Sequence, residues 1–163
     1  MIDLAPPTTA NERLVVRALT IGRRTALGVL GDREAAADVA QEVALIALQK
    51  AGDVRDLDPW LHKVAVRRAL KEARRNRDRR DAEARARVPA PDDDPLTGAL
   101  ELLDGLPPRQ RAALTLRYVH DLPDAAIAGA LRCRTGTVRS LLSRGREAVR
   151  AAIDEDRSPH ANR

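Results

Sequence analysis

Apolar positions recur at helical spacing along most of this chain. From Asn11 to Leu30 they fall at Leu14, Val15, Ala18, Leu19, Ala26 and Leu30, interrupted by Gly22 and Gly28. Steps of three and four residues predict an amphipathic helix. Gly31 breaks the run, and Asp32 offers a carboxylate to the free amides of a second helix. That helix is predicted to reach Lys50, with Ala36, Val39, Ala40, Val43, Ile46 and Ala47 as its core face. Ala51-Gly52-Asp53 ends it. Asp58-Pro59 predicts the start of a third helix, with Asp58 as N-cap and proline at the first position. Trp60, Leu61, Val64, Ala65, Ala69 and Leu70 supply its apolar side before it turns strongly basic.

The pattern changes from Arg77 to Pro95. Arg, Asp, Glu and Ala alternate there, and the stretch ends in VPAPDDDP. Its first half is compatible with prolonging the third helix. Its second half has too little apolar surface to fold and reads as a linker. Four further helices are predicted at Pro95–Leu103, Pro107–His120, Pro123–Leu131 and Thr135–Ile153. Ala126, Ile127, Ala130 and Leu131 form the inner face of the third of these. Val138, Leu142, Val149 and Ile153 form that of the last, and Arg132-Cys133-Arg134 is the turn between them.

The predicted fold is all-α: two small helical bundles joined by a flexible linker, the second containing a helix-turn-helix. The expected boundaries are 8–76, 77–94 and 95–155, with the two modules moving independently. Bundles this small are marginally stable alone, so a partner surface is expected to add stability.

Composition supports helix over sheet. The 163 residues include no Phe, one Trp and one Tyr, while Ala, Leu, Arg and Glu abound. The formal charge is +5, a modest pointer to a polyanionic partner. Cys133 stands alone, so no intrachain disulfide forms, and the scattered His62, His120 and His160 show no metal-ligand spacing. Neither a metal nor any other cofactor is expected. The start of the chain has no signal-peptide pattern, and no run approaches the roughly 20 apolar residues of a membrane span. A cytoplasmic protein without membrane insertion is expected. No nucleophile–base pair or glycine-rich phosphate loop is legible, so no catalytic site and no enzymatic activity are expected.

The last helix carries the sharpest signal. Its polar side presents Thr135, Thr137, Arg139, Ser140, Ser143, Arg144 and Arg146. A helix of this kind after a tight turn suits the major groove of DNA. Thr135 is a plausible N-cap. Arg139 and Ser140, near the helix start, are placed for base edges, and Arg144 and Arg146 for phosphates. A second basic cluster, Lys63, Arg67, Arg68, Lys71, Arg74 and Arg75, exceeds what helix capping needs and reads as a phosphate track. Asp38, Gln41 and Glu42 lie at i, i+3 and i+4 and share a polar helical face.

Three blocks together resemble bacterial RNA polymerase sigma factors of the extracytoplasmic-function type, which have only regions two and four. Gly31 to Val43, with Asp38-Val39-Ala40-Gln41-Glu42-Val43 at its centre, resembles the region-two helix that docks on the polymerase clamp. Pro59-Trp60-Leu61-His62-Lys63-Val64-Ala65, followed by Arg67-Arg68-Ala69-Leu70 and Arg74-Arg75, resembles the promoter-melting and minus-ten-reading helix. Leu106-Pro107-Pro108-Arg109-Gln110-Arg111 through Arg146 resembles region four.

The resemblance implies that Asp38, Gln41 and Glu42 meet core RNA polymerase. It implies that Trp60 and the basic cluster handle opened promoter DNA, and that the last helix reads the minus-thirty-five duplex. An anti-sigma factor is a further partner it suggests. The chain departs from the family at four places. Arg67 stands where an Asn is usual, Lys71 where an Asp is usual, and Leu141 where an Arg is frequent. Asp53 to Asp58 also contains no aromatic side chain. The alternatives are a sigma-like regulator that binds DNA without polymerase, and an interaction protein that does not open promoters.

Overall fold

The computed structural model describes residues 9–82, 103 and 105–156. Six helices are seen among them: α1 Ala10–Leu30, α2 Arg33–Lys50, α3 Leu57–Ala82, α4 Pro108–Tyr118, α5 Asp124–Leu131 and α6 Thr135–Asp156. A short 3-10 turn, Ala51–Asp53, follows α2. No helix among the described residues is long and apolar enough to cross a membrane.

Local chemistry sets most of the ends. Thr9 and Glu12 form a capping box at the start of α1: the Thr9 hydroxyl accepts from the Glu12 amide, and the Glu12 carboxylate accepts from the Thr9 amide. Gly31 closes α1 at φ 64°, a left-handed conformation that costs glycine little. Asp32 caps α2 by accepting from the Ala35 amide at 3.0 Å.

Two expected caps are corrected. α3 opens at Leu57, one residue before Asp58, and the Trp60 amide donates to the Asp56 carbonyl at 3.3 Å. Asp58 therefore sits in the first turn, and its carboxylate is gripped by both Nε and Nη2 of Arg17. That bond raises the Arg17 pKa and, as its largest cause, holds the Asp58 carboxyl below its ordinary range. Likewise α6 begins at Thr135, and the Arg134 carbonyl accepts from the Val138 amide at 3.1 Å. Thr135 is thus the first helical residue and Arg134 holds the cap position.

The third helix runs through Ala82, past the expected boundary after residue 76. The rest of the expected linker, and the helix expected at Pro95–Leu103 apart from Leu103, lie outside the described residues.

Each half has its own buried centre. Val29, Val43, Leu61 and Val66 are fully buried in the first, and Leu116, Ile127 and Val138 in the second. The halves pack against each other in this structure, where one continuous apolar cluster joins them. α1 and α3 pack on α4, and α3 packs on α5. The contact is close at Gly28, where a Cβ atom would stand only 2.2 Å from Thr115 Oγ1. The buried Arg111 donates through Nε to the Gly28 carbonyl at 3.2 Å. Each module covers apolar surface of the other.

Two histidines sit at this junction. His120, just after α4, and His62 of α3 stack edge to face with centroids 4.6 Å apart. Thr25 Oγ1 lies 2.9 Å from His120 Nε2, and His62 Nδ1 donates to the Asp58 carbonyl at 2.8 Å. Burial pushes the His120 pKa down to about 4, helped by the charges of His62 and Arg24. Burial also lowers that of His62; Asp58 opposes the shift and Arg17 adds to it. Exposed imidazole titrates near 6.5. Docking therefore favours the neutral rings: its stability is complete above about pH 6.5 and falls as pH drops from there towards 4. A fluorescence-transfer pair across α2 and α6 is expected to report separation of the modules in that window, before helicity is lost. A distance unchanged down to pH 4 would contradict this.

Candidate functional site

The helix-turn-helix is built around two close approaches. α5 ends at Arg132, which adopts φ 51°, and the Cys133 amide returns to the Ala128 carbonyl at 3.0 Å. This tight turn swings α6 across α4. There Gly145 is buried, and a Cβ atom on it would stand 2.9 Å from Leu114 Cδ1. Val138 and Leu142 face inward beside it.

Thr135, Thr137, Arg139, Ser140, Ser143, Arg144 and Arg146 are all exposed. Ser140 Oγ donates to the Gly136 carbonyl at 3.1 Å, and Ser143 Oγ to Glu147 at 3.3 Å. Arg139 and Arg146, seven residues apart, share one flank of α6. Arg139 Nε donates to Asp124 at 3.2 Å, and Arg146 reaches the Tyr118 hydroxyl at 3.5 Å. Arg144 lies on the opposite flank with Thr137. Two neighbours, Asp124 and Tyr118, were not singled out in the sequence. They come from other helices, and sequence spacing alone does not announce such contacts.

α3 carries the second set. Trp60, Lys63, Arg67, Lys71 and Arg74 recur at three and four residues and so form one stripe along the helix. Trp60 is half-buried against the core, whereas Lys71 and Arg74 are exposed. Arg68 pairs with Glu42 at 3.4 Å, and Arg75 with Glu72 at 3.7 Å.

Arg67 is already engaged. It donates from Nε to the Ala130 carbonyl at 3.3 Å and from Nη2 to the Gly129 carbonyl at 3.2 Å. Arg109 donates to the Leu131 carbonyl at 3.1 Å. These carbonyls end α5, where helix geometry leaves acceptors unpaired and the dipole favours cations. Lys63 runs beside Gly129 at the same place. The upper part of the α3 stripe is thus covered by the helix-turn-helix module.

α2 brings Asp38, Gln41 and Glu42 together on its outer face, all exposed. The stripe continues to Leu45 and Leu48, which are 60% and 48% exposed. These two leucines were not singled out in the sequence. Their signal was present: they extend Asp38, Gln41 and Glu42 by further steps of three and four residues. With the adjoining polar residues they make this outer face of α2 a candidate interaction surface.

Comparison with known proteins agrees with both halves. Residues 11–79 match the profile of the Sigma-70 region 2 family, and residues 98–149 that of Sigma-70, region 4. The ECF RNA polymerase sigma factor SigE of Mycolicibacterium smegmatis is 33% identical, over 78% of this chain and 55% of its own length. The RNA polymerase sigma-H factor of Pseudomonas aeruginosa is 32% identical, over 75% of each chain. This chain therefore spans about half of the first relative and three quarters of the second. The fold matches that of the sigma factor RpoE of Bartonella quintana, solved in complex with the anti-sigma factor NepR. The TM-score is 0.71 at 22% identity, covering 88% of this chain and 96% of that one. With both regions present in order and relatives above 30% identity, the chain belongs to the sigma-70 family of RNA polymerase sigma factors, as a member of the extracytoplasmic-function type.

Proposed function

We propose that this chain is a promoter-specificity subunit that binds core RNA polymerase and directs it to particular promoters. The observation that carries this reading is the outward stripe of α2. Asp38, Gln41, Glu42, Leu45 and Leu48 present charge and apolar surface together, on a helix whose other side is committed to the core. Core polymerase docks there. The α3 stripe takes the opened minus-ten strand, with Trp60 as a stacking surface and Lys63, Arg67, Arg68, Lys71, Arg74 and Arg75 against phosphates. α6 enters the minus-thirty-five major groove, with Thr135, Thr137, Arg139, Ser140 and Ser143 at its contact surface and Arg144 and Arg146 on the backbone.

The docked arrangement bears on this sequence of events. Arg67 cannot hold a promoter phosphate and cap α5 with the same N–H groups. While the modules are docked, only the remaining Nη1 and Nη2 N–H groups of Arg67 are left for the minus-ten strand. The chemistry of RNA synthesis belongs to the polymerase, so the chain contributes recognition and no catalytic group of its own. Its place of action is the cytoplasm, where polymerase and DNA are. An anti-sigma factor, as seen with the Bartonella relative, is a fitting negative regulator. Reconstituted transcription tests the reading: the chain and core polymerase together start transcripts at defined promoters, and neither does so alone.

A further inference from the structure

Asp124 is the first residue of α5 and the meeting point of three helices. Its Oδ1 accepts from Arg117 Nη2 of α4, and its Oδ2 accepts from Arg139 Nε of α6 at 3.2 Å. Its own side chain is only 27% exposed, whereas that of Arg139 is 75% exposed. The carboxylate is thus built into the scaffold while the arginine projects from it. A second cation on the same carboxylate keeps the Arg117–Asp124–Arg139 group net positive, so it does not repel a phosphate backbone.

The geometry also decides which edge of Arg139 is offered. A guanidinium donates from an Nε edge and from the far edge made by Nη1 and Nη2. Asp124 holds the Nε side. The contact uses Nε alone and the side chain is 75% exposed, so the Nη1 and Nη2 edge stays available, and it is the edge that matches the O6 and N7 acceptors of guanine. A free arginine has many rotamers, and fixing one in advance removes an ordering cost from binding.

We infer that Asp124 is a positioning residue for base readout, which aims Arg139 at one base pair while Arg117 holds the carboxylate in place. This rests on the reading that Arg139 meets a base edge.

A double-mutant cycle in the holoenzyme, formed from the full chain and core polymerase, tests both layers. Affinity is measured on a promoter duplex and on duplexes altered at each minus-thirty-five position. R139A is expected to relax preference at one position. D124A is expected to reduce discrimination at that same position by roughly 3- to 10-fold, without reducing the salt dependence of binding. In the R139A background, D124A is expected to add nothing. D124N preserves the side-chain shape and keeps the cycle interpretable if the alanine variant folds poorly; an intermediate loss is expected from it. If R139A relaxes preference but neither Asp124 variant does, the positioning role is overturned and the Arg139 reading stands. A D124A loss of equal size in the R139A background also overturns it, because the carboxylate is then only structural. If R139A relaxes no position, the Arg139 reading fails and the inference falls with it.

Discussion

Replacing Leu45 with Asp and Glu42 with Arg together is expected to weaken binding to core polymerase by at least about 30-fold, the equivalent of about 2 kcal/mol or more. Leu45 is the apolar centre of the α2 stripe, and a carboxylate there replaces apolar contact with a group that is costly to desolvate. Glu42 beside it is exposed and paired only across the surface with Arg68 at 3.4 Å. Reversing its charge opposes whatever cation the polymerase offers, and losses at desolvated charge pairs run to about 2–5 kcal/mol. Neither change touches the buried side of α2, formed by Ala36, Val39, Ala40, Val43, Ala44 and Ala47. The thermal midpoint of the free protein should therefore shift little, since surface substitutions stay within about 0.5 kcal/mol. Titration against labelled core polymerase, alongside thermal melts, checks both statements. Unchanged affinity would remove α2 as the docking surface.

The second large effect is expected on promoter DNA, where Arg139 and Arg146 should divide the work. They share a flank of α6 two turns apart, but their settings differ. Arg139 is braced by Asp124 near the helix start, whereas Arg146 leans towards Tyr118 at 3.5 Å, with that tyrosine 61% exposed. Arg139→Ala is expected to cost about 1–3 kcal/mol on the cognate duplex and to relax preference at one position. Arg146→Ala is expected to weaken every sequence alike and to lower the salt slope by about one unit. Holoenzyme titrations at several salt concentrations, on promoter and scrambled duplexes, separate the two outcomes. Equal, sequence-independent losses from both variants would mean that the reading face of α6 lies elsewhere.

The helices were legible because their signals are local. Apolar spacing, the Asp32 cap, the Gly31 break and the prolines before α4 and α5 each act within a turn or two. Ends set by competing donors were less legible. Asp58 looked like a cap, but Arg17, from 41 residues away, claims its carboxylate and the helix starts earlier. The docking of the two modules could not be read at all. It depends on a missing side chain at Gly28 meeting Thr115, and on Arg67 and Arg111 finding carbonyls in another part of the chain. A glycine in a helical run carries no mark of what approaches it. The candidate site was legible to the extent that it follows helical faces. Thr137, Arg139, Ser140 and Arg146 on α6, and Asp38, Gln41 and Glu42 on α2, emerge exposed as their spacing implied. Asp124 was missed because its role is to bridge two arginines from other helices. Leu45 and Leu48 are different: the same spacing rule that grouped Asp38, Gln41 and Glu42 extends to them.

A subunit that gives core polymerase its choice of promoter must create new transcription starts. The direct measurement is transcription from sheared genomic DNA by purified core polymerase, with and without the chain, followed by mapping of transcript 5′ ends. A new set of discrete starts should appear only when both are present. Upstream of them should lie two shared sequence elements at a fixed separation, one for α3 and one for α6. The same 5′ ends with and without the chain would mean that it does not direct promoter choice, and specific duplex binding by the chain alone would then favour a regulator that works without polymerase.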